Sequence, residues 1–167
     1  MNAVDFQSIQ LPEALRLLGE MPAVLDAALA GATPEALRHR VEPGSFCLVE
    51  HACHLRDLER EGYAVRMNRM LEESAPVLDE FEGDVVARER DYMAQDAHAA
   101  AAQFAAARAA FVARAASLTA VEMARGGSFM GRRITVCDLL AMVVEHDRGH
   151  REEIAALVHR REAPWWR

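Results

Sequence analysis

Residues 135–154 read TVCDLLAMVVEHDRGHREEI, and this stretch carries the clearest helical pattern in the chain. Its apolar residues recur every three to four positions, which is the period of one face of an α-helix. They are Val136, Leu139, Leu140, Val143, Ile154 and, just beyond, Leu157. His146 and His150 fall inside the same stripe. The stretch therefore predicts an amphipathic helix with two histidines on its buried face.

The spacing of these two histidines is the first functional signal. Residues four apart on a helix stack on one face, about one turn from each other, so two imidazoles could grip one transition metal ion. A buried imidazole needs a partner, because burying an unpaired polar group costs free energy. A metal is one such partner, and hydrogen bonds within the core or a polar cavity are the other. From this helix alone both interpretations stay open.

The rest of the chain predicts three more amphipathic helices. The first covers about residues 12–30, the second follows Ser45 as its N-cap and runs to about residue 73, and the third covers about residues 94–117. Thr135 and Asp138 form a capping-box pattern that opens the fourth helix. The expected buried positions of the second helix are Leu48, Leu55, Leu58, Gly62 and Val65. Four such helices predict one all-α four-helix bundle over residues 1–167.

Composition narrows the possible partners. The chain has 167 residues, of which 51% are hydrophobic, and a net charge of −7. An acidic chain disfavours binding to nucleic acid or to an anionic membrane, both of which need basic patches. No apolar run approaches the roughly 20 residues of a membrane span, and no secretion signal is evident. We expect a cytoplasmic protein with reduced cysteines.

A third metal ligand could come from the second helix. His51 lies within the expected buried arc of that helix and His54 lies at its margin. In a bundle, either side chain could meet His146 and His150 across the core. Helical periodicity does not choose between them.

Two segments carry a resemblance to a known family. They are SFCLVEHACHLRDLE at residues 45–59 and GRRITVCDLLAMVVEHDRGHREEI at residues 131–154. Together they resemble the DinB-like (YfiT-like) superfamily. The matching positions are Glu50, His54, Leu55, Asp57 and Glu59, followed by Gly131, Thr135, Asp138, Leu139, Leu140, His146, Asp147 and His150. Phe46 departs from the pattern, because members often have tryptophan there.

The resemblance implies a bundle of up-down-down-up topology that commonly forms a homodimer. It implies a divalent transition metal, with zinc, nickel and iron the first choices, held by His54, His146 and His150. It thereby favours His54 over His51 as the third ligand. It also implies metal-dependent chemistry on a small-molecule thiol, as an S-transferase or an isomerase. The alternative is a non-catalytic metal- or ligand-binding bundle, or a stress-response dimerisation bundle with Trp165 and Trp166 at its interface.

Three charged residues are candidates for supporting or catalytic roles. Glu50 and Asp147 neighbour ligand positions and could orient an imidazole through its free N–H, or could simply be solvated helix charges. Arg108 lies in the middle of the apolar stripe of the third helix, so it needs a partner. It could pair with Asp57 or Glu59 across the bundle, or it could anchor a substrate carboxylate.

Overall fold

The structure, a computed structural model, describes residues 10–162, and side chains up to residue 160. Trp165 and Trp166, and so their predicted interface role, lie outside the described residues. The helices, in chain order, are α1 (Leu11–Leu29), α2 (Pro34–Arg38), α3 (Leu48–Asp57), a π-helical segment (Leu58–Tyr63), α4 (Ala64–Glu72), α5 (Gly83–Glu89), a 3-10 turn (Tyr92–Ala94), α6 (Ala97–Ala116), α7 (Ala120–Met123) and α8 (Val136–Glu162).

Four long segments build the bundle: α1, the continuous run from α3 through the π-helical segment to α4, α6, and α8. The helix α6 packs against both α1 and α3, and α8 packs against α1. The predicted helical stripes of α6 and α8 are buried, including Phe104 and Phe111 on α6 and Leu139 and Val143 on α8. These packed faces are the physical reason why the bundle forms.

The start of α8 agrees with the sequence prediction, and the start of α3 differs from it. The capping box before α8 is present, since Thr135 Oγ1 accepts from the Asp138 N–H at 3.1 Å and Asp138 Oδ2 accepts from the Thr135 N–H at 2.8 Å. The prediction of Ser45 as the N-cap of the second helix was wrong. Cys47 holds that position, and its N–H donates to Glu50 Oε2 at 3.0 Å. Ser45 Oγ instead donates to the Glu42 carbonyl at 2.8 Å.

The π-helical segment changes which residues of the second long helix are buried. A π turn holds one residue more than an α turn, so the face beyond it shifts by about one position. Leu48, Leu55, Leu58 and Gly62 are buried as expected, but Val65 is 44% exposed. Arg66, Met67 and Met70 are buried in its place. The prediction for Val65 therefore failed because it assumed an uninterrupted α-helical period.

A small three-stranded sheet packs beside the bundle, although only helices were predicted from the sequence. Its strands are β1 (Val77–Leu78), β2 (Gly126–Phe129) and β3 (Arg132–Thr135). The strand β2 pairs with β1 in parallel and with β3 in antiparallel orientation. The β2–β3 hairpin turns at Met130 and Gly131, whose φ values of 50° and 75° suit a two-residue hairpin turn. Gly126, Gly127 and Gly131 therefore all lie in this hairpin.

The buried interior has two apolar clusters with a polar layer between them. One cluster includes Leu25, Leu55, Phe104 and Ile154, and the other includes Leu18, Leu58, Phe111, Leu139 and Val143. The buried polar side chains of α8 and α6 fall in sequence between the two clusters. They are Arg108 on α6 and Asp147 and His150 on α8, with the half-buried His146 beside them. Among the described residues, no helix is long and apolar enough to cross a membrane.

Candidate metal centre

The three predicted ligands converge between two helices. His54 lies in the last turn of α3, and His146 and His150 lie one turn apart in the middle of α8. The Nε2 atoms of His54 and His146 are 3.4 Å apart, and those of His150 and His146 are 3.0 Å apart. All three residues offer a nitrogen within 4.8 Å of the other two. The structure therefore brings together His54, His146 and His150, the set that the family resemblance implies.

The spacing of these nitrogens fits a shared ion. Metal–imidazole bonds of about 2.0–2.1 Å at angles near 90–110° place two ligand nitrogens about 2.9–3.4 Å apart. Hydrogen bonds account less well for the cluster, because one ring N–H satisfies one acceptor and three nitrogens point inward together. The Nδ1 atoms of His54 and His146 are also buried without a hydrogen-bond partner among the described residues. The donor set and its spacing fit a metal ion held by three histidines.

Burial keeps these imidazoles neutral. It lowers the pKa of His54 to about 4 and the pKa of His146 to about 3. The pKa of His150 is lowered further, by burial first and then by the neighbouring histidines. A neutral imidazole has a free lone pair, which is the form that binds a metal. Protons therefore do not compete for these nitrogens near neutral pH.

The three-histidine site opens into a cleft of about 350 Å³. His54 and His150 form part of its wall, together with Gly44, Ser45, Phe46, Gly83, Asp84 and Glu153. Phe46 packs on the His54 ring at a centroid distance of 5.3 Å, and Phe81 packs on the same ring at 6.0 Å. Aromatic side chains therefore pack against the His54 ring, and the cleft beside the imidazoles is large enough for a small molecule.

The sequence matches the family model of the DinB superfamily over residues 17–154. The chain belongs to the DinB superfamily. Among solved structures it is similar to YfiT from Bacillus subtilis, described as a probable metal-dependent hydrolase with an unusual four-helix bundle topology. The two share 22% identity and a TM-score of 0.85 over 96% of this chain and 92% of that chain. No curated protein matches the sequence. The predicted up-down-down-up four-helix bundle and the family resemblance are confirmed.

The carboxylates that were candidates to orient the ligands in this DinB superfamily member bind arginines instead. Glu50 accepts from Arg40 Nη2 at 2.6 Å as well as from the Cys47 N–H. Asp147 accepts from Arg108 Nη1 at 2.5 Å. Neither Glu50 nor Asp147 is a solvated helix charge, since they are 5% and 3% exposed. Both carboxylates therefore brace the helices that carry the histidines.

Arg108 lies in the polar layer between the two apolar clusters, next to the three-histidine site. It is 1% exposed, and its Nη2 donates to Glu59 Oε2 at 2.9 Å while its Nη1 also donates to the Leu18 carbonyl at 3.1 Å. The pairing with Glu59 is one of the two predicted for it. Asp57, the other, instead accepts from Tyr92 Oη at 2.7 Å and from Arg90 at 2.8 Å. Arg108 does not line the cleft.

Burial and ion pairing shift the pKa values of Arg108 and its two carboxylate partners in opposite directions. Burial would lower the pKa of Arg108, but Glu59 and Asp147 raise it above its ordinary value. Burial raises the pKa of Glu59 and of Asp147, although Arg108 acts in the opposite direction on both. One guanidinium thus neutralises two buried carboxylates only in part, so the triad depends on all three members.

A fourth histidine joins the site of this DinB superfamily member. His51 is fully buried, and its Nδ1 lies 2.8 Å from His150 Nδ1. The sequence placed His51 in the buried arc of the second helix, and its position three residues before His54 was the signal that both side chains share one face. We refer to His51, His54, His146 and His150 as the histidine cluster. The remaining histidines among the described residues, His39, His98 and His159, are exposed.

Proposed function

We propose that this protein binds one divalent transition metal ion through His54, His146 and His150. The observation that carries the proposal is the convergence of three neutral Nε2 atoms, with separations of 3.0 and 3.4 Å, beside an open cleft. Zinc, nickel and iron all accept imidazole ligands. Three protein ligands leave coordination positions free, which is the pattern of a catalytic site rather than of a closed structural one.

We further propose that the reaction class is metal-dependent S-transfer from a low-molecular-weight thiol. When bound, a divalent ion would lower the pKa of a thiol coordinated at an open position and so favour the nucleophilic thiolate. The chain's own residues supply the shielding and the polar contacts around the open position. Phe46 and Phe81 shield the His54 ring, and Ser45, Asp84 and Glu153 provide polar contacts at the cleft wall. Partial desolvation at the cleft wall raises the pKa of Glu153, although 62% of its side chain is exposed, and a carboxylate there can accept and return a proton.

Hydrolysis is the second candidate for the same open site. YfiT, the similar solved structure, is described as a probable metal-dependent hydrolase. An open coordination position can activate water as well as a thiol. The shared fold supports this candidate only by analogy, because one fold hosts many reactions. A non-catalytic metal- or ligand-binding bundle is the third reading of the site.

The metal proposal is tested by elemental analysis of purified protein. We expect about one equivalent of metal in the wild type and little in His150→Ala, because two histidines hold an ion much more weakly than three. His98→Ala is the matched control, since His98 is exposed and outside the cluster. Equal metal content in His150→Ala and the wild type would contradict the proposed ligands.

The reaction class is tested on the metal-loaded protein. We expect it to consume a small thiol together with a model electrophile, and we expect His150→Ala to lose this activity. Turnover of an ester or amide without thiol would favour hydrolysis instead. A full metal site with neither activity would favour a binding protein. We also propose that the protein works as a homodimer, which light scattering in solution would test.

A further inference from the structure

The contact between His51 and His150 has a chemical meaning beyond packing. Their Nδ1 atoms are 2.8 Å apart, and the two rings meet edge to face at an interplanar angle of 87°. His51 is 0% exposed and His150 is 8% exposed. Two buried ring nitrogens this close share a proton, because two facing lone pairs would repel each other. The pair is therefore a hydrogen bond, and one nitrogen must donate.

His150 uses its two ring nitrogens for different partners. Its Nε2 faces the three-histidine site, 3.0 Å from His146 Nε2, and its Nδ1 faces His51. If Nε2 gives its lone pair to a metal, the neutral ring carries its proton on Nδ1. His150 Nδ1–H must then be the donor, and His51 Nδ1 must be the acceptor. A neutral His51 accordingly carries its own proton on Nε2.

The surroundings of His51 fit that assignment. Its Nε2 is buried without a hydrogen-bond partner among the described residues, and a carboxylate oxygen of Glu153 lies 3.6 Å away. A carboxylate favours the tautomer that presents an N–H toward it. Glu153 also lies at the cleft wall. The same Glu153 oxygen lies 3.6 Å from His150 Nδ1, so it favours the N–H on His150 Nδ1 as well as the N–H on His51 Nε2.

We propose that His51 is a positioning residue for the metal site. It holds His150 in the Nδ1–H tautomer and fixes the ring orientation, so that Nε2 is presented to the ion. Metal-bound histidines commonly donate their second N–H to a fixed partner, and losing that partner weakens metal binding. The inference rests on the proposed function, since it assigns a role toward the metal. It also explains why a second histidine on α3, one turn before His54, is buried in the cluster.

The opposing possibility is that His51 is itself a metal ligand. His51, His150 and Glu153 offer atoms within 4.8 Å of one another. However, His150 Nδ1 faces His51 while His150 Nε2 faces the three-histidine site, so His51 and His150 Nδ1 could bind only a second ion, and His150 would then have to lose both ring protons. Glu153 is also largely exposed, with 62% of its side chain in solvent. The hydrogen bond accounts for the distance directly.

Two substitutions of His51 distinguish the loss of its hydrogen-bond acceptor from the loss of its side-chain volume. Asparagine places its Oδ1 at the same bond count from Cβ as histidine Nδ1, so it can accept from His150 Nδ1–H. Leucine fills similar space without an acceptor. We expect His51→Leu to lower zinc affinity by about 10- to 100-fold in chelator competition. We expect His51→Asn to restore most of that loss, and His98→Leu to leave the affinity unchanged.

Nitrogen-15 NMR of the zinc-loaded wild type reports which ring nitrogen of His51 carries the proton. A residue that only fills space would have no required tautomer. We expect His51 to carry its proton on Nε2, and a proton on Nδ1 would overturn the proposal. Equal zinc affinity in His51→Leu and the wild type would also overturn it, as would a second zinc equivalent that disappears in both His51→Leu and Glu153→Gln. Absence of zinc binding by the wild type would instead refute the proposed function. If His51→Leu does not fold, His51→Asn and the NMR measurement still decide the question.

Discussion

At the scale of single residues, the site depends on a close approach to His54. A Cβ atom placed on Gly83 would lie 2.6 Å from Cε1 and 2.8 Å from Nδ1 of the His54 ring. Contacts under about 3 Å between such atoms are strongly repulsive, so only glycine allows this backbone to touch the ring. Gly83 opens α5, in the connection between α4 and α6. Backbone from that connection therefore helps to fix the orientation of a predicted ligand.

We predict that Gly83→Ala weakens metal binding by pushing His54 out of place. An affinity loss of about tenfold is expected, at the lower end of the range for losing support of a metal ligand. Chelator competition with zinc measures it. Gly149→Ala is the control, because its added Cβ meets nothing within 4 Å although it neighbours His150. Unchanged zinc affinity in Gly83→Ala would show that α5 moves aside without disturbing the ring.

At the scale of elements, a buried ion triad ties the bundle together beneath the site. Arg108 on α6 reaches Glu59 in the π-helical segment, Asp147 on α8 and the Leu18 carbonyl on α1. One side chain thus contacts every long segment of the bundle. Asp147 lies next to His146 in sequence, so the triad also fixes the register of α8 at the ligand positions.

We predict that Arg108→Met destabilises the protein by about 3–5 kcal/mol, because it leaves Glu59 and Asp147 buried without their cation. Arg108→Lys should recover only part of this, since an ammonium cannot reproduce the planar fork that reaches two carboxylates. Urea denaturation of the metal-free protein measures both changes. Arg148→Met is the control, because Arg148 on α8 pairs with Glu145 at the exposed surface. A loss no larger than that of the control would refute a bracing role for the triad.

The same elements show what a sequence can and cannot predict. The apolar stripes of α6 and α8 follow one helical period from end to end, so their buried faces were predictable, including Arg108 and both histidines of α8. The second long helix was predictable only as far as Gly62, because the π turn depends on tertiary packing and shifts the buried face from Val65 to Arg66. The β2–β3 hairpin was missed because its strands are four residues each and lack apolar alternation. The contact between His51 and His150 joins residues 99 apart, which helical periodicity does not relate.

At the scale of the whole molecule, the two apolar clusters are separated by a polar layer that holds the histidine cluster and the Arg108 triad. Burying this much polarity costs stability that an apolar core of the same volume would keep. Natural proteins accept such a cost at functional sites. The layer also makes the stability of the whole fold depend on protonation, because the histidines are buried in their neutral form.

We predict that the metal-free protein loses stability as the pH falls from 7 to 5.5. The four clustered histidines are neutral in the folded state, with pKa values lowered to about 4 or below, whereas unfolded histidine titrates near 6.5. Well above pH 6.5 both states are neutral and no effect arises. As the pH falls through 6.5, the unfolded state takes up protons that the folded state cannot, which costs about 1.4 kcal/mol per histidine at pH 5.5. The raised pKa values of the carboxyls paired with Arg108 act in the opposite direction, so the decisive measurement compares variants by urea denaturation at several pH values. His51→Asn should lower the pH dependence by about one proton, His98→Asn should leave it unchanged, and identical curves for both would show that the cluster does not titrate in this way.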